Sequence, residues 1–179
     1  MAQYLRPRAP GATIYFVVCL AERGSSFLIT EIDALRSAVG LTRRARPFHV
    51  DAWVVLPDHM LCIWTLPNGD RDFSTRWRQI KTRFSRSLPR KITRASQLAR
   101  QERGIWQRRF WEHHIRDAHD YRQHMQLCCN APMHLGLVER GTDWPFSSFC
   151  SDRVWCVLAR TTQQGSQKFR AWDDRPTHH

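Results

Sequence analysis

The chain has 179 residues, enough for one domain, and its 42% hydrophobic content can fill one core, which excludes a wholly disordered protein. Its 28 lysines and arginines outnumber 16 aspartates and glutamates, and the resulting formal charge of +12 speaks against an enzyme of small neutral substrates and for a polyanionic partner, nucleic acid first. No run reaches the roughly 18 apolar residues of a membrane span, and the opening MAQYLRPRAPGATIYF lacks the apolar centre of a signal peptide, so a cytoplasmic protein without a membrane partner is expected.

Residues 13-TIYFVVCL-20, apolar and β-branched between Pro10-Gly11 and Gly24, predict a buried strand. In 30-TEIDALRSAVGLTRRAR-46, Ile32, Leu35 and Val39 recur at helical spacing. Thr30 is the expected N-cap, and Arg43, Arg44 and Arg46 gather where cations favour the helix dipole. Pro47 ends that helix. The segment 48-FHVDAWVVLP-57 alternates before turning wholly apolar, and Pro57-Asp58 turns the chain into 59-HMLCIWTLP-67, giving two antiparallel strands.

Phe73, Trp77, Ile80 and Phe84 form one side of a helix over 73–88, with Arg76, Arg78, Lys81, Arg83 and Arg86 assigned to a basic outer face. The stretch 89-PRKITRASQLARQERG-104 reads as a basic connector. Residues 105-IWQRRFWEHHIRD-117 alternate as a further strand. Asp117 then caps a helix over 118-AHDYRQHMQLCCNA-131, expected to end at Pro132 and Gly136, and a polar tail over 153–179 follows a domain spanning 1–152. Together these elements predict an α+β, ferredoxin-like split βαβ fold: a four-stranded antiparallel sheet with helices packed on one face and the other face free for a ligand.

Cys19, Cys62, Cys128, Cys129, Cys150 and Cys156 show no Cys-x-x-Cys pair, and buried thiols are expected. Of nine histidines, His59 alone opens a buried strand just after a turn. Alternate residues share a strand face, so a second ligand would stand at 61 or 63, where the chain has Leu61 and Ile63. His59 is therefore at most part of a metal site. His113, His114 and His119 straddle a strand-to-helix junction and read as structural or solvent-facing. Arg76, Arg78, Lys81 and Arg83, with Arg108 and Arg109 beside Trp106 and Trp111, offer cations for phosphates and aromatic faces for unpaired bases.

The run 53-WVVLPDHMLCIWTLPNGDRDFSTRWRQIK-81, the segment 105–117 and the phrase 143-DWPFSSF-149 resemble the REP-associated tyrosine transposases, a branch of the single-tyrosine HUH nucleases, over about residues 10 to 152. The resemblance implies a ferredoxin-like domain that binds single-stranded or hairpin DNA from palindromic repeats. It also implies cleavage by a tyrosine nucleophile with a divalent metal, Mg or Mn, held by a histidine pair. The family's His-hydrophobic-His is here His59, Met60, Leu61, and its tyrosine and asparagine one helical turn apart fall on Leu127 and Ala131. The implied metal site is thus weak or absent. Among Tyr4, Tyr15 and Tyr121 only Tyr121 shares that helix, six residues early, which rotates it by roughly 120° and moves it about 9 Å along the axis.

The sequence leaves three readings open: a DNA-binding member of this family without cleavage, an active transposase with a rearranged site using His59 and Tyr121, and a basic RNA-binding module. A monomer and a homodimer are both compatible with it.

Overall fold

The computed structural model describes residues 10–89 and 104–150; most of the expected connector, at 90–103, and the expected tail, 153–179, lie outside them. In chain order the elements are β1 (Thr13–Cys19), α1 (Phe27–Thr30), α2 (Ile32–Ala45), β2 (His49–Val55), β3 (His59–Thr65), α3 (Phe73–Ser87), β4 (Trp111–His114) and α4 (Ala118–His134), followed by a 3-10 turn at Gly141–Asp143. The strands form one sheet in the order β2-β3-β1-β4 with every neighbouring pair antiparallel, as a split βαβ fold requires. The α+β class and the four-stranded antiparallel sheet are as expected.

One face of the sheet presents Ile14, Phe16, Val18, Trp53, Met60, Cys62 and Trp64 to α2 and α3, whose Leu35, Val39, Phe73, Trp77, Ile80 and Phe84 complete the main core. Trp64 and Trp77 stack at 4.3 Å between ring centres, a geometry that adds to the large apolar area both bury. The other face is not free. Tyr15, Ala52, Val54, Leu61 and Ile63 are covered by α4 through Tyr121, Met125, Cys128 and Ala131. The reason lies in β1 and β3, whose alternate residues are apolar on both faces, so that water must be excluded from both.

Three local expectations change. Thr30 ends α1 rather than capping α2, its hydroxyl donating back to the Ser26 carbonyl at 3.2 Å. Pro132 lies inside α4, which runs on to His134, and Gly136 at φ 66° ends it, the Leu137 N–H donating to the Pro132 carbonyl at 3.0 Å. The strand after the connector contains only four residues, Trp111–His114. Asp51 is the extra residue of a bulge in β2, which restores the alternation so that Trp53 and Val55 meet the main core. The outer edge of β2 is covered by the DWPFSSF phrase: the Val55 N–H donates to the Phe146 carbonyl, the Ser148 N–H to the Trp53 carbonyl, and the Trp144 indole to the Val55 carbonyl at 2.8 Å.

Arg76 is not on the basic outer face where it was expected. It is 2% exposed, because it stands three residues after Phe73 and four before Ile80 and so belongs to the apolar stripe. Its guanidinium donates to the carbonyls of Arg46, Pro47 and Asp72 and to Asp70 Oδ2, the last at 2.6 Å. Hydrogen bonding from Arg76, aided by the Asp72 N–H, holds the Asp70 carboxyl below its ordinary range despite burial.

Truncating one partner of a buried charge leaves the rest uncompensated, so Arg76→Ala should lower the unfolding free energy by about 3–5 kcal/mol in urea titrations. Arg76→Lys should recover only part of that, since a point charge cannot reach acceptors placed for a fork. The folded Asp70 carboxyl binds its proton at lower pH than the unfolded one. Its contribution is therefore complete above about pH 4 and lost as the pH falls further, and Asp70→Asn should flatten this part of an acid titration of stability.

Candidate functional site

His59 opens β3 and is oriented by its neighbour. Asp58 Oδ1 lies 2.6 Å from His59 Nδ1, while Asp58 Oδ2 accepts from the Gly24 N–H at 2.7 Å and pairs with Arg23 at 3.1 Å. Burial would raise the Asp58 pKa, but the hydrogen bonds from Gly24 and His59 and the charge of Arg23 outweigh it and lower it. A carboxylate that fixes one ring nitrogen leaves the other aimed, which is half of the arrangement that metal-binding histidines use. The other half is missing. Leu61, on the same strand face, is 8% exposed and packed in the α4-side cluster, and a hydrocarbon offers a cation no lone pair.

On α4, Ala131 packs toward the sheet, whereas Leu127 is 50% exposed and lines a shallow depression on the outer side with Gln123, His124, Gln126, Asn130 and His134. Tyr121 lies elsewhere. Its hydroxyl donates to Asp51 Oδ1 at 3.2 Å, and Asp51 Oδ2 accepts from the Thr65 hydroxyl at 2.8 Å. Burial first, and then the Asp51 charge, push the Tyr121 phenol well above its usual range. Thr65 closes the strand that His59 opens, six residues and roughly 20 Å away. A site combining His59 with Tyr121 would need its metal ligand and its nucleophile at opposite ends of one strand, which the geometry contradicts.

A different cluster forms where β4 meets α4. His113, on the α4 side of β4, places Nε2 at 3.1 and 2.9 Å from the two carboxylate oxygens of Asp120, and His124 places Nδ1 at 3.0 Å from Asp120 Oδ1. The two imidazoles stack at 4.6 Å and 15°. Asp117 caps the helix through the Asp120 N–H at 2.8 Å, and the Arg116 N–H and guanidinium both hold Asp120 Oδ2 at 3.1 Å. Burial acts against the charged carboxylate, but these donors, His113 foremost, bring the Asp120 pKa down to about 2. Sequence spacing alone does not assemble this group. Asp120 and His124 stand four apart on one helix face, a visible signal, yet their meeting with His113 depends on how α4 crosses the sheet. His114 points to the opposite face, toward Phe73, and His119 is exposed.

The expected nucleic-acid contacts divide into groups. Lys81 on α3 donates to the Gln107 carbonyl at 2.9 Å and sits over the rings of Trp106 and Phe110 at 5.9 and 5.5 Å, and burial lowers its pKa to about 8. Trp106 is half-buried, edge-on to Phe84. Arg78, Arg108 and Arg109 are exposed and Arg83 half-buried, so α3 and the 105–110 segment present cations from one neighbourhood. Trp111 stands apart, 53% exposed on the opposite sheet face, parallel to His113 at 6.0 Å and edge-on to Tyr15. The described cysteines are all free thiols, and no described helix is long and apolar enough to cross a membrane.

No protein-family model matches the chain. It is 45% identical over 152 residues, 85% of each chain, to the REP-associated tyrosine transposase of Escherichia coli (strain K12). A relative from Haemophilus influenzae (strain ATCC 51907 / DSM 11121 / KW20 / Rd), named for the same kind of transposase, is 38% identical over 154 residues, covering 85% of this chain and 88% of that one. A solved structure of a REP-associated tyrosine transposase bound to a REP hairpin superposes with a TM-score of 0.71 at 46% identity, covering 83% of each chain.

The two leucines should respond differently to truncation. Leu61→Ala should cost about 2–5 kcal/mol as a core cavity, and Leu127→Ala less than about 0.5 kcal/mol as a surface change, both read from urea unfolding. Tyr121→Phe should cost about 1 kcal/mol through the lost hydrogen bond to Asp51.

Proposed function

From the premise that the chain belongs to the REP-associated tyrosine transposases, we propose that it grips hairpin or single-stranded DNA of palindromic repeats without cutting it. The observation that carries the second half is the pair Leu61 and Leu127. One is sealed in the α4-side core beside His59 and the other lies open on α4, and neither can ligate a cation or attack phosphorus. The family's divalent ion, Mg or Mn, would be held by two histidines of one strand. With His59 alone the residues present do not fit it.

Binding has better support. The hairpin-bound relative covers most of this chain, so a related DNA path over the same sheet and helices is the natural reading. Arg78, Lys81, Arg83, Arg108 and Arg109 would meet phosphates, and Trp106 and Trp111 would offer ring faces to unpaired bases. Arg76, with its guanidinium committed inside the protein, takes no part. Trp111 is the stronger stacking candidate because its ring is exposed. Such work belongs in the bacterial cytoplasm, where the repeats would be met.

A repeat-hairpin oligonucleotide with magnesium or manganese should be retained by the protein without a covalent adduct, and the affinity should fall steeply with salt, by a logarithmic slope of about 0.9 per neutralised phosphate. Arg78→Ala and Arg108→Ala should each reduce that slope by about 1, and Trp111→Ala should weaken single-strand binding by about 1–3 kcal/mol. The triple variant Leu61→His, Leu127→Tyr, Ala131→Asn should regain cleavage if the scaffold is otherwise competent. A phosphotyrosine adduct on the unaltered chain would overturn the non-cleaving reading. An RNA hairpin of matching sequence that outcompetes the DNA would overturn the DNA-binding one.

A further inference from the structure

We propose that His113, Asp120 and His124 bind a divalent transition ion of the zinc class and that this ion clasps β4 to α4, independently of the strand position of His59 and of the DNA-binding reading. Among the described residues this is the only group of three His, Cys, Asp or Glu side chains whose ligand atoms converge, all lying within 4.8 Å of one another. Two imidazole nitrogens and a carboxylate oxygen suit zinc, cobalt or nickel and not magnesium or calcium, which take oxygen.

The spacing is near what an ion requires. Bonds of about 2.1 Å meeting at a tetrahedral angle put ligand atoms about 3.4 Å apart. His113 Nε2 and His124 Nδ1 stand 3.1 and 3.0 Å from one oxygen, Asp120 Oδ1, so these two separations need open by only a few tenths of an ångström, and the two nitrogens lie within 4.8 Å of each other. The other oxygen, Oδ2, is held by the Arg116 N–H and guanidinium and also lies 2.9 Å from His113 Nε2; these contacts fix the plane of the carboxylate, and Oδ1 is the oxygen that both imidazoles reach. Such support around a ligand is what metal sites use to orient it. His113 keeps 26% of its side chain exposed, which gives the ion a route from solvent.

Two features oppose the ion. His124 Nδ1 also lies 2.8 Å from the Asp120 carbonyl, and that hydrogen bond is given up when the nitrogen ligates. The Arg116 charge stands on the same carboxylate. Without an ion, His113 hydrogen-bonds the Asp120 carboxylate and so joins β4 to α4, while His124 hydrogen-bonds the Asp120 carbonyl within α4, and the two roles respond differently to glutamine. A glutamine amide can continue a hydrogen bond but ligates these ions poorly.

The test titrates the full chain with cobalt(II) and follows the visible ligand-field bands, with zinc and then magnesium as competitors. The expected result is one equivalent of cobalt, displaced by zinc and not by equimolar magnesium. Its binding should be lost in His113→Gln and in His124→Gln and kept in His59→Gln, with zinc raising the melting temperature of the unaltered chain only where the site is intact. Cobalt that fails to bind, that survives both glutamine changes at His113 and His124, or that departs with His59→Gln overturns the proposal. Should the glutamine variants not fold, carbethoxylation of the unaltered chain decides: zinc must protect His113 and His124 from labelling, and unprotected rings overturn the site.

Discussion

A guanidinium enclosed within the protein sets the geometry on which the rest depends. Arg76 draws four acceptors from two places: the α2–β2 turn through Arg46 and Pro47, and the loop after β3 through Asp70 and Asp72, the N-cap of its own helix. The effective penalty for burying such a charge is several kcal/mol, so the acceptors must be where they are or the helix cannot dock. Asp70 extends the tie further, because its carbonyl accepts from the Gly11 N–H at 2.8 Å just before β1 begins. Gly11 approaches Asn68 closely at φ +63°, a combination that suits a residue without a side chain. The start of β1, the end of β3 and the entries to β2 and α3 are thereby held in one register.

With α2 and α3 fixed on the aromatic face, α4 closes the other, and the polar groups of the sheet are driven to its margins. The Asp51, Thr65 and Tyr121 network sits at one end of β3 and the Asp58–His59 pair at the other. Between them the α4-side surface is hydrocarbon, Leu61 included. Among the described residues, the imidazole and carboxylate groups that converge lie at the junction of β4 with α4.

Much of this was legible in the residues because it follows from period. Strand alternation and the spacing of Phe73, Trp77, Ile80 and Phe84 located the sheet and α3, and the rare tryptophan phrases named the family. Arg76 was misplaced because charge was weighed above position, although its distances of three and four from Phe73 and Ile80 assign it to the buried stripe. The covering of the second face by α4 was missed because its apolar signal is diluted: Tyr121, Met125 and Cys128 pack inward on a helix that also exposes Leu127, Met133 and Leu135. Pro132 reads as a stop, yet the helix continues past it to His134, and Gly136, the other expected end, terminates it. The His113, Asp120 and His124 group joins residues seven and eleven apart across a turn, and no one-dimensional spacing rule reports how a helix crosses a strand.

The sheet also has an unequal pair of margins. The β2 side is sealed by the 144–149 segment, but β4 lies last in the strand order with no further described strand beyond it. An open margin of this kind can template pairing with another chain, and proteins blunt it by keeping the strand short and flanking it with charge. Four residues between Arg108, Arg109 and Arg116 meet both conditions. Arginines so placed suit the guarding of that margin among the described residues, and replacing them wholesale to map a ligand surface would invite edge-to-edge aggregation that mimics a loss of binding.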